Sequence, residues 1–309
     1  MSKIRIGIVG FGKIAHDQHL PALRANDDYE LVAVASRNAS LEDVANFKTL
    51  DEMLESMPEL DAVSLCTPPQ VRHGQARSAL AQGKHVMLEK PPGATLSEVD
   101  DLTAQAERAG RTLFATWHSR HAPAVEPARR WLAGKTVRAV NVQWKEDVRT
   151  WHPGQEWIWQ PGGLGVFDPG INALSIITAI LPQPFFLTEA ELSFPQNRAA
   201  PIAANLSFID ASQTPIRAEF DWRQTGPQTW DIHIDTDEGR LTLSKGGSVM
   251  AIDGHVELTQ DEAEYPGLYA HFATLIKAQC SDVDVRPLQH VADAFMLGRR
   301  LDVEPFIEE

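Results

Sequence analysis

Residues 4–15 read Ile4-Arg5-Ile6-Gly7-Ile8-Val9-Gly10-Phe11-Gly12-Lys13-Ile14-Ala15. A β-rich apolar run leads into Gly-x-Gly-x-x-Ala. This is the dinucleotide-binding fingerprint in the context it requires, with a strand before and a helix after. Gly10 permits the tight turn, Gly12 lets the backbone approach a pyrophosphate, and Ala15 is small enough for the helix to pack on the strand. The unpaired N–H groups at the helix start would face the phosphates. A glycine turn without a ligand is the alternative reading.

Strands and helices alternate outward from this stretch. Glu30–Ala35 reads as the second strand. A NAD-specific fold would carry Asp or Glu at its end, but here stand Ser36-Arg37-Asn38. A carboxylate would repel a 2′-phosphate, whereas Ser36 and Arg37 can hydrogen-bond it, so NADP is favoured over NAD. Arg37 stacking on adenine is the alternative. Asp61–Cys66 is the next strand, and Thr67-Pro68-Pro69 fixes a loop at its carboxyl end that would line the cofactor cleft. Cys66 reads as an apolar residue rather than a nucleophile.

Gln70–Gln82 reads as a helix and Val86–Leu88 as a buried strand, ending in Glu89-Lys90-Pro91-Pro92. A residue before proline is pushed out of the helical region, so Lys90 is held extended at a strand's carboxyl end, where ligands of open α/β sheets gather. Lys90 is therefore a candidate for chemistry; a surface lysine in a loop is the alternative. Thr95-Leu96-Ser97-Glu98 is a capping box opening a helix that runs to Gly110. Thr112–Trp117 is the last strand. Residues 1–120 thus read as a Rossmann-type, doubly wound parallel sheet.

The pattern changes after Arg120. A helix at Val125–Ala133 is followed by period-two strands at Val137–Trp144, Thr188–Phe194, Ile202–Asp210, Ile216–Arg223, Thr229–Asp235 and Arg240–Ser244, and by helices at Gly267–Gln279 and Leu288–Leu301. Residues 121–309 read as a substrate-binding α+β domain with a large, mainly antiparallel, open-faced sheet, its C-terminal helices free to pack back on the first domain. The few helices there can cover one face only. A homodimer through the open face is expected.

The chain has 309 residues and a formal net charge of −14, with no cluster of basic residues, which argues against a nucleic-acid partner. Cys66 and Cys280 are far apart and lack metal spacing. With no apolar leader at the start and no run long enough to span a bilayer, a cytoplasmic protein away from the membrane is expected.

The densest polar and aromatic stretch lies in the second domain. Trp144-Lys145-Glu146-Asp147 ends a strand, and Trp151, His152, Trp157 and Trp159 follow closely. Tryptophan faces beside polar groups suit a sugar, which offers C–H surface and hydroxyls together; a hydrophobic lid or interface belt is the alternative. Further on, Asp168-Pro169 fits an N-cap with proline at the first helical position, and Asn172, four residues later, faces the same way. His118, His121, His152 and Glu146 form no local metal motif, and no metal is expected.

With these residues assembled, the chain resembles the glucose–fructose oxidoreductase/inositol dehydrogenase family. The resemblance rests on Gly10–Ala15, Thr67-Pro68-Pro69, Gly83–Pro91 and Gly163–Asn172. His16–Pro21, Trp117–Arg120, Trp144–Asp147, Trp151–Gln155 and Phe167–Leu174 carry a closer similarity to bacterial aldose 1-dehydrogenases acting on L-arabinose and D-galactose. The resemblance implies an aldose substrate oxidised at the anomeric carbon with a nicotinamide dinucleotide, NADP before NAD on the reading of Ser36 and Arg37. It implies Lys90, Asp168 and Asn172 as the catalytic set, and His118, Glu146, Trp151, His152 and Trp230 as sugar contacts. It also implies Gly10, Gly12, Lys13, Ile14, Ser36, Arg37, Cys66, Thr67, Pro68, Glu89, Lys90 and Trp117 as the cofactor lining. A dehydrogenase or reductase of the same family acting on another polyol or carbonyl compound is the nearest alternative, and a non-catalytic NADP-binding sensor a further one.

Overall fold

The computed structural model describes residues 2–308. They form two compact units, one made of the chain up to His118 together with Tyr265–Val285, the other of Ser119–Glu264 with Arg286 onward.

In the first unit, strands β1 (Ile4–Val9), β2 (Tyr29–Ala35), β3 (Ala45–Phe47), β4 (Ala62–Leu65), β5 (His85–Leu88) and β6 (Leu113–Ala115) build a parallel sheet in the order β3-β2-β1-β4-β5-β6. Helices α1 (Leu20–Arg24), α2 (Leu50–Ser56), α3 (Pro69–Ala81) and α4 (Leu96–Ala109) connect the strands. Strand alternation sends Ile4, Ile6 and Ile8 into one core, with Tyr265, Leu268, Tyr269 and Phe272, and Val9 into another, with Met53 and Leu80. Both faces are covered, as a parallel sheet requires. α1 is preceded by one π turn, Ala15–His19, in which the Leu20 N–H donates to the Ala15 carbonyl. Pro21 follows with no N–H to give.

The second unit carries α5 (Val125–Leu132), β7 (Val137–Lys145), α6 (Val148–Trp151), α7 (Phe167–Ile180), β8 (Phe185–Pro195), β9 (Ala203–Asp210), β10 (Pro215–Asp221), β11 (Thr229–Thr236), β12 (Gly239–Ser244), β13 (Val249–Ile252) and β14 (His255–Thr259). Helix α8 (Glu264–Ala278) belongs to the first unit from Tyr265 on, and α9 (Arg286–Leu297) and β15 (Arg299–Val303) complete the second. Its nine strands run β14-β13-β12-β11-β7-β10-β9-β8-β15. All neighbours are antiparallel except β7/β10 and β8/β15. Among the described residues no helix is long and apolar enough to cross a membrane.

Three readings need correction. The helix expected over Leu288–Leu301 stops at Leu297, and the chain turns at Gly298 into β15. A side chain at 298 would meet the Ala294 carbonyl at 2.4 Å. The hairpin β13–β14 went unread although Asp253-Gly254 marks it; both turn residues have positive φ, 49° and 83°, the conformation that Asp-Gly favours. Asp168 is not an N-cap. α7 begins one residue earlier, at Phe167, and the Asp168 N–H already bonds the Gly165 carbonyl at 2.8 Å.

Candidate functional site

The first unit holds the fingerprint. Gly10 has φ 86°, and a Cβ there would meet the Thr67 backbone N at 2.9 Å, so the turn is closed to other residues. A Cβ on Gly12 would instead project into open space, and Gly12, Lys13 and Ile14 are exposed. An accessible glycine backbone at a helix start is the form of a pyrophosphate cradle, so the residues present fit a dinucleotide. Lys13 pairs with Asp17. At the end of β2, Ser36 bonds the Phe47 carbonyl through its N–H, and Arg37 is exposed. The ammonium of Lys48 donates to the Arg37 carbonyl at 3.2 Å.

Lys90 follows β5 and is half-buried; its bond to Pro91 is cis. Its N–H donates to Glu89 Oε2 at 2.6 Å. Glu89 is 4% exposed and accepts from the Tyr265 hydroxyl at 2.7 Å and from His19 Nε2 at 3.2 Å. Burial pushes the Glu89 carboxyl up, but the hydrogen bond and charge of His19, with His118 and Lys90, outweigh it and hold the carboxyl well below the usual carboxylate range. Burial likewise disfavours a charged His19, yet its Cys66, Tyr269 and Glu89 neighbours lift the imidazole well above its ordinary value. His19 and Glu89 thus form a close buried pair beside the Lys90 N–H. Cys66 sits half-buried above Ser64. Thr67 donates through Oγ1 to Gln75 at 2.5 Å. Trp117 is buried, with its indole N–H given to the Asp284 carbonyl at 2.8 Å. His118 stacks on Tyr265 at 5.4 Å.

The second unit gathers the other set. Glu146, 2% exposed at the end of β7, accepts the indole N–H of Trp230 at 2.9 Å and of Trp222 at 3.3 Å. His152 places Nε2 3.3 Å from Glu146 Oε1 and Nδ1 3.7 Å from Asp168 Oδ2. Its ring lies against Trp222, and Trp151, exposed, lies against Trp230 at 5.0 Å. Gly170 lets α7 close onto the sheet, since a Cβ there would meet the Phe220 ring at 2.6 Å. Asn172, one turn after Asp168, is half-buried and on the same face. Among the described residues no group of three or more His, Cys, Asp or Glu is placed to hold a metal.

The structure therefore brings Glu146, Trp151, His152, Asp168, Asn172 and Trp230 into one unit, and the cofactor residues, Lys90 and His118 into the other. Trp151 and Trp159 do not share one surface. Trp159 is 3% exposed and packs on Trp222 and Phe306. Sequence reasoning missed Arg72, whose buried guanidinium donates to the Thr67, Glu89 and Pro91 carbonyls. It also gave no role to His19, Trp222, Tyr265 or Tyr269.

Fold and fingerprint define a nicotinamide-dinucleotide oxidoreductase, and the chain belongs to the Gfo/Idh/MocA oxidoreductase family. Residues 4–116 match the family described as "Oxidoreductase family, NAD-binding Rossmann fold". The chain is 49% identical over 308 residues to a galactose 1-dehydrogenase from Pseudomonas fluorescens, covering 100% of both sequences. The crystal structure of a D-galactose-1-dehydrogenase from Rhizobium etli superposes with a TM-score of 0.96 at 60% identity, covering 99% of each chain. A 3-ketoreductase from Actinomadura kijaniata, solved with NADP and TDP-benzene, shares the fold at a TM-score of 0.85 and 19% identity, covering 98% of this chain and 100% of its own.

Proposed function

We propose that this protein is an NADP-preferring aldose 1-dehydrogenase that oxidises the anomeric carbon of D-galactose- and L-arabinose-type pyranoses to the aldonolactone. The observation that carries the reading is the Glu146–His152–Asp168 array edged by Trp151 and Trp230: fixed hydrogen-bonding groups beside aromatic surface, as a sugar requires. The full-length identity to a galactose 1-dehydrogenase supports it.

A nicotinamide dinucleotide held at the fingerprint would accept the hydride leaving C1. The C1 hydroxyl must give up its proton as that happens, and Asp168 is the carboxylate that takes it. His152 orients Asp168, and Glu146 in turn fixes His152. Lys90 orients a ring hydroxyl and stabilises negative charge developing on oxygen. Asn172 holds hydroxyls through its two-sided amide. His118, Trp151 and Trp230 contribute further sugar contacts. Ser36 and Arg37, where a carboxylate would otherwise stand, favour the 2′-phosphate of NADP over NAD. The reading includes a cytoplasmic homodimer paired through the open face of the nine-stranded sheet.

The test is an aldose screen with NADP and NAD, read by reduced-cofactor absorbance. D-Galactose and L-arabinose share their configuration at C2, C3 and C4, so both should turn over. D-Glucose inverts C4 and leaves polar groups of the pocket unpaired, a large penalty. Glucose performing as well as galactose sinks the assignment.

A further inference from the structure

We propose that Arg72 is a positioning residue that sets Lys90 in place by gripping the backbone on both sides of it. Arg72 lies in the first turns of α3 and is 2% exposed. Nη1 donates to the carbonyls of Glu89 and Pro91, the residues immediately before and after Lys90. Nη2 donates to the Thr67 carbonyl, in the loop that follows β4. The remaining backbone donor at this point, the Lys90 N–H, is held by the Glu89 carboxylate, itself fixed by Tyr265 and His19. One planar guanidinium thus ties the Thr-Pro-Pro loop to the Glu-Lys-Pro loop, and the carbonyls before and after Lys90 share one donor.

The chemistry suits arginine. Its fork presents several donors in fixed directions, whereas a lysine ammonium is a point charge on a flexible stem. Putting a guanidinium among carbonyls at a buried position is dearer than packing an apolar side chain there. The arrangement makes sense where the position of Lys90 matters more than the stability of the loop. Because Arg72 holds the carbonyls on either side of Lys90, it acts on whatever Lys90 does. The inference rests on the reading of Lys90 as a group that orients the sugar.

The experiment is a double-mutant cycle between Arg72→Gln and Lys90→Ala in the full-length enzyme. With Lys90 present, Arg72→Gln should lower kcat/KM for the sugar by about tenfold or more, through both a lower kcat and a higher KM. In the Lys90→Ala background the same change should cost less than about threefold, since residues acting as a unit are not additive. An equal loss in both backgrounds, or no loss with Lys90 present, overturns the proposal. Reductive ¹³C-methylation gives a second readout, independent of substrate. The Lys90 resonance, assigned by its absence in Lys90→Ala, should shift in Arg72→Gln while those of distant lysines stay, and an unmoved resonance overturns the proposal. This readout judges Arg72 even if wild-type protein oxidises no aldose, a result that would count against the proposed function instead. Should Arg72→Gln fail to fold, Arg72→Lys, which keeps the charge but not the fork, carries both comparisons with the same expected and overturning results.

Discussion

His152 Nδ1 stands 3.7 Å from Oδ2 of Asp168, with both side chains largely buried in the second unit. An imidazole there can orient the carboxylate. Because Asp168 lies inside the first turn of α7 and not at its cap, replacing it with asparagine removes the base without removing a cap. Asp168→Asn at saturating coenzyme and sugar should therefore lose about 10²–10⁴ in turnover with little change in thermal stability. If more than about a tenth of the turnover survives, Asp168 is a structural residue.

The proposed preference for NADP rests on the end of β2. Arg37→Ala should weaken NADP binding by about 1.5–3 kcal/mol if a charge-assisted bond to the 2′-phosphate is lost, and leave NAD binding nearly unchanged. Isothermal titration with each coenzyme checks this. Equal losses for both would assign Arg37 to adenine stacking or to structure.

What was legible in the sequence was what is local. The fingerprint announces itself because a tight turn demands Gly10 and a close approach demands Gly12. Glu-Lys-Pro announces itself because proline restricts the residue before it. The supports of those motifs were not legible, because they come from far along the chain. Tyr265 reaches Glu89 across 176 positions, and Trp222 reaches Glu146 across 76. Nothing in the period-two pattern read over Ile216–Arg223 distinguishes a tryptophan that holds a carboxylate, as Trp222 does, from one that fills a core. Likewise the apolar spacing of Leu288–Leu301 fits a helix until Gly298 interrupts it, and only the pairing of Arg299–Val303 with β8 reveals a strand.

The second unit's sheet bears on assembly. One face carries half-buried and exposed polar rows, including Asn141, Arg217, His233 and Asp235, with Lys145 paired to Glu219 at 2.7 Å and Arg240 to Asp235 at 2.5 Å. A self-complementary arrangement of both signs suits a two-fold pairing. Light scattering at micromolar concentration should give twice the chain mass, 34.2 kDa, and Arg217→Glu should shift it toward the monomer. A wild-type monomer contradicts the dimer.

The buried pair of His19 and Glu89 makes stability depend on pH in a definite sense. The folded-state pKa of His19 is raised, so its contribution is complete below the ordinary imidazole value of 6.5 and is lost as pH rises toward the folded value. The folded-state pKa of Glu89 is lowered, so its contribution is present above the ordinary 4.5 and is lost as pH falls toward the folded value. The pair is therefore worth most between those limits. Above pH 6.5, wild-type protein should lose up to about 1.4 kcal/mol per pH unit through His19 until the folded pKa is passed. His19→Gln keeps a donor near Glu89 but removes the charge. It should lower stability at pH 6 by about 3–5 kcal/mol, the usual cost of breaking a buried pair. It should also abolish the His19 part of the alkaline slope. Denaturant unfolding of both proteins from pH 5 to 9 reads the two effects together. Parallel curves above pH 6.5 would mean that His19 is neutral in the folded protein and that Glu89 is held by Tyr265 and the Lys90 N–H alone.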